Sequence, residues 1–329
     1  MPTQTDRANG VLLGLACGDA LGRPVEFKPP HRIAEEHGRV TEMLANGTHR
    51  QPAGTITDDT ELALCIARSL DEEGQFEPEA VADGFVEWYD SDPFDIGGLT
   101  AATLRRLAGG GDWDEIGLEE WKHLPEGRNA GNGSVMRCAP YGVAFHSNMD
   151  DLVTASRVSS AITHADPRCQ WSCVVLNVTI AGLLNDDDDP LGTALDLAED
   201  APAEVREAVT SIQNILSGDI DPNTVDLKNN GYVVTTLQAG LYHGLTAETA
   251  EEAIIDAVMM GGDTDTIAAV AGAVAGARFG GEALPDRWLN EITETDELTE
   301  LSHSLASDTF GVSEDAEKMV ATGKLDFQV

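Results

Sequence analysis

Apolar residues along the chain recur mainly three and four positions apart, a spacing that puts them on one face of a helix. It predicts helical cores at Val11 to Leu21, Glu61 to Leu70, Val135 to Phe145 and Leu152 to Ile162. Further cores follow at Cys173 to Leu184, Ala253 to Met260 and Ile267 to Phe279. Strict alternation, the mark of a half-buried strand, is scarce, and Tyr232 to Thr236 reads better as the start of a helix running to Tyr242. The pattern predicts an all-α chain of roughly ten or more helices. No linker rich in Pro, Ser or Gly divides it and no internal repeat is visible, so residues 1–329 are expected to form a single compact multi-helix domain.

Two of these helices carry unusually small side chains. Ile267 to Ala277 holds Gly272 and Gly276 four apart, and the N-terminal helix holds Gly14, Gly18 and Gly22 at the same interval. Glycine inside a helix costs about 1 kcal/mol relative to alanine, so close packing against a neighbour is expected to compensate. The 267–277 stretch is therefore expected to be central and buried. It is also the longest apolar run, and it is too short to cross a bilayer, which takes about 20 residues.

Charge narrows the choice of partners. Lys and Arg number 20 against 58 Asp and Glu, a formal net charge of −38. Nucleic acid and anionic membrane both need local positive potential, so neither is expected as a partner. Acids spread over the whole chain, with only five lysines among the basic residues, read as a strongly hydrated surface suited to a salt-rich cytoplasm. The five cysteines form no CxxC pair and no secretory signal opens the chain, which fits a reducing cytoplasm. Cys169 and Cys173, four apart on a helix, could bridge or bind metal, but small buried apolar residues are the simpler reading.

Chemistry is carried by acids at helix mouths. Thr57-Asp58-Asp59-Thr60 precedes one helical pattern, and Gly261-Gly262-Asp263-Thr264-Asp265-Thr266 precedes another. Helix capping explains either cluster alone, with Asp58 as N-cap and Glu61 completing a capping box. One cap needs one side chain, however, and two clusters each offering two carboxylates and threonine hydroxyls exceed that need. Buried together, four carboxylates would be prohibitive without cations. Hard oxygen ligands suit Mg²⁺ or Mn²⁺ rather than zinc. The exit of the N-terminal helix, Gly18 to Phe27, is expected to deliver Asp19 and Glu26 to a loop. Three weaker features remain. Gly131-Asn132-Gly133-Ser134 is either a phosphate cradle at a helix start or an ordinary turn capped by Ser134. Asp92 to Gly98 is a turn that can present Asp95, and Thr163-His164 stands between two helices, where His164 either meets a ligand phosphate or caps a helix end.

Together, Gly18-Asp19-Ala20-Leu21-Gly22 with Glu26, Thr57 to Thr60, Asp95-Ile96-Gly97, Gly131 to Arg137, Thr163-His164 and Gly261 to Thr266 resemble the ADP-ribosylglycohydrolase family, which includes the dinitrogenase reductase-activating glycohydrolases. The motifs spread from residue 10 to about 280, with 281–329 as a helical extension of the same domain. The resemblance implies an all-α fold and two Mg²⁺ or Mn²⁺ ions. Carried over by position, it makes Thr57, Asp58, Asp59, Asp263, Asp265 and Thr266 metal ligands. It sets Glu26 beside the metals, where Glu26 or Asp59 takes a proton from water, and points Asp95 at the scissile linkage. Gly131, Asn132, Gly133, Ser134 and His164 become ADP-ribose contacts. The implied activity is metal-dependent hydrolysis of the bond between ADP-ribose and a protein side chain, arginine favoured, or a small-molecule conjugate. Serine-linked or O-acyl-ADP-ribose is the near alternative, and an ADP-ribose-binding module without turnover the distant one. A monomer is expected. The region from His31 to Gln51 is where relatives vary, and substrate selection transfers least there.

Overall fold

The computed structural model describes residues 2–125, 127–307 and 309–326. Among them there are seventeen α-helices, three short 3-10 turns and no strand. Isolated bridges join Asn46 to Gln51, Phe76 to Val312 and Gly131 to Tyr232. No helix among the described residues is long and apolar enough to cross a membrane.

The centre of the molecule is an antiparallel pair, Gln4–Gly22 and Thr264–Phe279, both buried along most of their length. Neither has a polar face, which is the signature of helices surrounded by protein. Their glycines explain the pairing. A Cβ on Gly10 would lie 2.4 Å from the Gly276 carbonyl oxygen, one on Gly14 2.1 Å from that of Gly272, and one on Gly18 1.9 Å from that of Ala268. At the far end a Cβ on Gly22 would meet the Asp265 backbone at 2.5 Å. The four-residue spacing thus forms a ridge of bare backbone along which the second helix lies in contact. Thr264 Oγ1 fastens the end by donating to the Gly22 carbonyl at 2.8 Å.

Around this pair lie Val233–Thr246 and Ala250–Val258 on one side and Pro167–Leu184 on another. The C-terminal Thr295–Ser307 helix packs back on the N-terminal one, where Ser302 Oγ donates to Asn9 Oδ1 at 3.2 Å. All five cysteines are buried and free, so Cys169 and Cys173 are core residues, not a bridge.

The predicted helices are present, with one correction. Val135 to Arg137 form turns, and the helix in that region covers only Ala139–Ala144. Pro140 stands in its first turn, where its fixed φ and missing N–H begin a helix but cannot continue one from upstream. Ser134 therefore caps no helix.

Immediately after the N-terminal helix, Arg23 is wholly buried and its guanidinium serves as a hub for the following loop. It donates to four carbonyl oxygens, those of Leu44, Asn46, Pro52 and Thr55, at 2.8–3.3 Å. That single side chain ties down the irregular segment leading into Thr57.

Candidate active site

The glycine pairing sets the mouth of the Thr264–Phe279 helix against the end of the Gln4–Gly22 helix, and the site grows from that corner. The Arg23–Val25 turn carries Glu26 over the mouth. Two backbone bonds clip it there: Phe27 N–H to the Gly262 carbonyl at 2.6 Å, and Gly262 N–H to the Lys28 carbonyl at 2.9 Å. Gly261 and Gly262 both hold positive φ, and a Cβ on Gly261 would lie 2.6 Å from the Lys28 carbonyl oxygen. These glycines are required by close backbone approach.

The second mouth arrives with Asp58–Glu73. Its N-cap is Thr57, not Asp58; Thr57 Oγ1 accepts from the Asp59 N–H at 3.4 Å. Asp263 occupies the N-cap position of the other helix yet makes no capping bond with its side chain. Capping therefore leaves Asp58 and Asp263 unexplained. Instead the clusters converge: Thr266 Oγ1 lies 3.5 Å from Asp59 Oδ2. Carboxylate oxygens of Glu26, Asp263 and Asp265 come within 4.8 Å of one another.

These groups line a cavity of about 410 Å³, together with Asp95, Gly131, Asn132, Gly133 and His164. Asp58 Oδ2 accepts from the Gly97 N–H at 3.3 Å, which anchors the turn presenting Asp95. Asn132 Nδ2 donates to Asp263 Oδ2 at 2.7 Å, joining the glycine loop to the acids. Two predicted site residues stand behind the wall: Thr57 points its hydroxyl at Asp19 Oδ1, 2.9 Å away, and Ser134 accepts from Ser160 Oγ at 2.9 Å. The glycine loop opens no helix, so a helix-start cradle does not exist there. Gly133 is small for another reason, since a Cβ would meet the His164 ring at 2.7 Å.

His164 is both a helix-end residue and a cavity wall: its N–H closes the Met149–Thr163 helix while its ring faces inward. Arg137 Nη2 donates to Thr163 Oγ1 at 2.7 Å, and that hydroxyl lies 2.8 Å from His164 Nδ1. The arginine can only donate, so the hydroxyl accepts from it; when the hydroxyl's own proton goes to Nδ1, the ring carries its N–H on Nε2. Burial pushes the His164 pKa down to about 3, so the ring is a neutral donor.

Asp19, expected in a loop, sits inside the N-terminal helix, which continues to Gly22. Fully buried, it accepts from the N–H and hydroxyl groups of both Thr57 and Thr60 at 2.5–3.1 Å. It thereby orients the Thr57–Thr60 turn from behind. His49 was not anticipated at all. Its Nε2 lies 2.5 Å from Glu26 Oε2 and 3.5 Å from Asp95 Oδ2, and nothing in local periodicity marks a lone histidine on an irregular loop.

Mutual repulsion is written into the titration of the acids. Burial, reinforced by Asp95, Asp263 and Asp58, raises the Glu26 pKa from 4.5 to about 9. Burial first and neighbouring carboxylates second hold Asp58, Asp59 and Asp265 well above the usual range. Asp59 Oδ1 is buried with no hydrogen-bond partner. An unpartnered oxygen among clustered carboxylates is a donor set suited to hard divalent cations.

A carboxyl whose folded pKa is raised contributes stability below its unfolded pKa, and loses it as pH climbs through the folded value. The metal-free protein should therefore lose stability between about pH 4.5 and about pH 9, the span set by Glu26. Thermal melts in chelator across that range should show the decline, and added Mg²⁺ or Mn²⁺ should flatten it. A metal-free Tm that rises with pH across the span would contradict this electrostatic picture.

A larger cavity of about 840 Å³ lies elsewhere, bordered by Arg157, Arg168 and Trp171. Its arginines are already paired, Arg168 with Asp166 and Arg157 with Asp326 and Gln170. Its acids, Asp200, Glu204 and Asp326, form no cluster close enough to share a cation among the described residues.

An all-α fold with carboxylates gathered between helix mouths defines a candidate hydrolytic centre. Residues 1–315 match the family model described as ADP-ribosylglycohydrolase, and the chain belongs to that family of hydrolases. It is 31% identical over 291 residues to the ADP-ribosyl-[dinitrogen reductase] glycohydrolase of Rhodospirillum rubrum, covering 88% of this chain and 92% of that one. It is 32% identical over 310 residues to the ADP-ribosylarginine hydrolase Tri1 of Pseudomonas putida (strain GB-1), covering 91% and 78%. Among solved structures, one titled "ADP-ribosylglycohydrolase-related protein complex" superposes with a TM-score of 0.75 at 32% identity, over 93% of this chain and 99% of that one.

Proposed function

We propose that the protein is a metal-dependent hydrolase that releases ADP-ribose from a modified arginine side chain. The observation that carries this reading is the convergence of Glu26, Asp58, Asp59, Asp95, Asp263 and Asp265 on one cavity. Relatives named for dinitrogen reductase and for arginine support the choice of linkage. Asp58, Asp59, Asp263, Asp265 and Thr266, with Thr57 behind them, would hold two Mg²⁺ or Mn²⁺ ions. Such ions, when bound, neutralise the acids, clamp ribose hydroxyls and polarise water.

Cleavage at the ribosyl carbon passes through an oxocarbenium-like state, which carboxylates stabilise. Glu26, held by His49, or Asp59 accepts a proton from the attacking water. Asp95 faces the departing nitrogen. Gly131, Asn132, Gly133 and His164 border the same cavity, where a His164 Nε2–H suits a phosphate oxygen; Ser134 supports that loop through Ser160.

The decisive experiment incubates the protein with ADP-ribosyl-arginine, ADP-ribosyl-serine peptide and O-acetyl-ADP-ribose, with and without Mg²⁺ or Mn²⁺, and measures free ADP-ribose. Metal-dependent turnover of the arginine conjugate is expected. Turnover of none, with ADP-ribose still bound, would identify a binding module instead.

We also infer adaptation to a salt-rich cytoplasm, in which five buried thiols remain reduced and the chain acts as a monomer. Salt weakens surface ion pairs such as Arg68–Glu297, but with a net charge of −38 it screens more repulsion than attraction. Tm is expected to rise from low to molar KCl; a fall would assign the surface to another use.

A further inference from the structure

Large apolar side chains are almost absent from the described surface, and those exposed are Phe27, Phe94 and Leu216. Phe27 lines the acidic cavity, and Phe94 directly precedes Asp95, which lines it too. Phe27 is 69% exposed and Phe94 39% exposed, and neither ring joins the apolar core. His49 lies between them, its ring centroid 5.5 Å from that of Phe94 and 6.5 Å from that of Phe27. Phe27 is also held at φ +63°, the left-handed region that bulky residues avoid. The clip to Gly262 maintains this conformation although the ring gains no burial from it. Core packing explains none of these positions.

Carboxylates adjoin the rings: Glu26 and Asp95 both reach His49. Aromatic rings beside carboxylates suit a planar cation that can stack and donate at once, and guanidinium has that chemistry. The rim adjoins Asp95 through His49, and the hydrolase reading points Asp95 at the departing nitrogen, so on that reading the rim meets the leaving group. We propose that Phe27, His49 and Phe94 form an aromatic rim that grips the guanidinium of an ADP-ribosylated arginine and selects N-linked over O-linked conjugates. This rests on the hydrolase reading above. A serine oxygen or acyl group, being neutral, gains nothing from the ring faces.

The test is a Phe27→Gly/Phe94→Ala double variant of the full chain. Glycine accepts the positive φ without strain, and the truncated phenylalanine is exposed, so the fold should survive. KM for ADP-ribosyl-arginine should rise about tenfold with kcat within about twofold, the loss of two cation–π contacts. Affinity for free ADP-ribose, by calorimetry, should not change. Nor should the KM or inhibition constant of an ADP-ribosyl-serine peptide. Returning an aromatic ring with Phe94→Trp in the Phe27→Gly background should restore part of the loss. A KM for the arginine conjugate within about twofold of wild type would overturn the rim, on the same scale. So would an equal penalty on both conjugates or weakened ADP-ribose binding. Wild-type protein releasing ADP-ribose from no conjugate would refute the hydrolase reading itself, and the rim with it.

Discussion

Replacing Asp263 by asparagine should lower ADP-ribose release by at least about a thousandfold. Loss of a partner outside the coordination sphere of a metal costs roughly 10–100-fold, and loss of a direct ligand should cost more. Calorimetry should show the heat of Mg²⁺ or Mn²⁺ binding reduced or gone. Stability should move the other way. Asp263 is one of the charges that raise the Glu26 pKa, and asparagine removes that repulsion while keeping the shape. The metal-free variant should therefore melt at or above the metal-free wild type, a signature no structural role would produce. Retained activity with unchanged metal binding would dissolve the proposed centre.

Gly18→Ala should be among the most damaging single methyl groups that can be added to this chain. Its Cβ would lie 1.9 Å from the Ala268 carbonyl oxygen, and both partners are backbone in the central helix pair. No rotamer relieves such a clash, so the helices must part. A loss of about 3 kcal/mol or more is expected, which lowers Tm by at least about 4 °C in a chain of this length. Because the same crossing sets Asp265 against the end of the Gln4–Gly22 helix, kcat should fall as well. Gly84 supplies the control. It is also helical, but a Cβ there would meet only Cys65 Cβ at 3.8 Å, so Gly84→Ala should stabilise by about 0.5–1 kcal/mol. Equal effects at the two positions would remove close packing as the reason for Gly18.

Asp263 and Gly18 show how much of the molecule is legible in its sequence. The glycine interval and the helical period were visible because they repeat along one element, and repetition is what a linear pattern records. The acids at two helix mouths were legible because the charge exceeded any capping need, and their meeting follows from the glycine ridge. Gly10 and the pairing of Gly14 with Gly272 were not seen, since register between helices depends on both surfaces at once. Asp19 was noticed but placed in a loop, because a charged side chain near a Gly-Arg-Pro sequence resembles an exit; only the threonines that bond it, about forty residues on, make burial tolerable. His49 left no trace in the pattern. Its role arises from an irregular segment folding back on Glu26, and such segments have no period to detect. Gly133 shows a constraint no linear pattern records: its missing side chain makes room for the His164 ring, about thirty residues on.

The Arg23 hub has a consequence for how this enzyme scaffold can change. Four carbonyls from residues 44 to 55 are gripped, and no side chain of that segment takes part. An anchor that holds only main chain is indifferent to what the segment displays. Much of the stretch around His49 should therefore change its side chains while the Arg23 bonds keep its frame fixed. Positions of that segment other than Thr48 and His49, which bond Glu26, should accept new side chains with the acid cluster left in place.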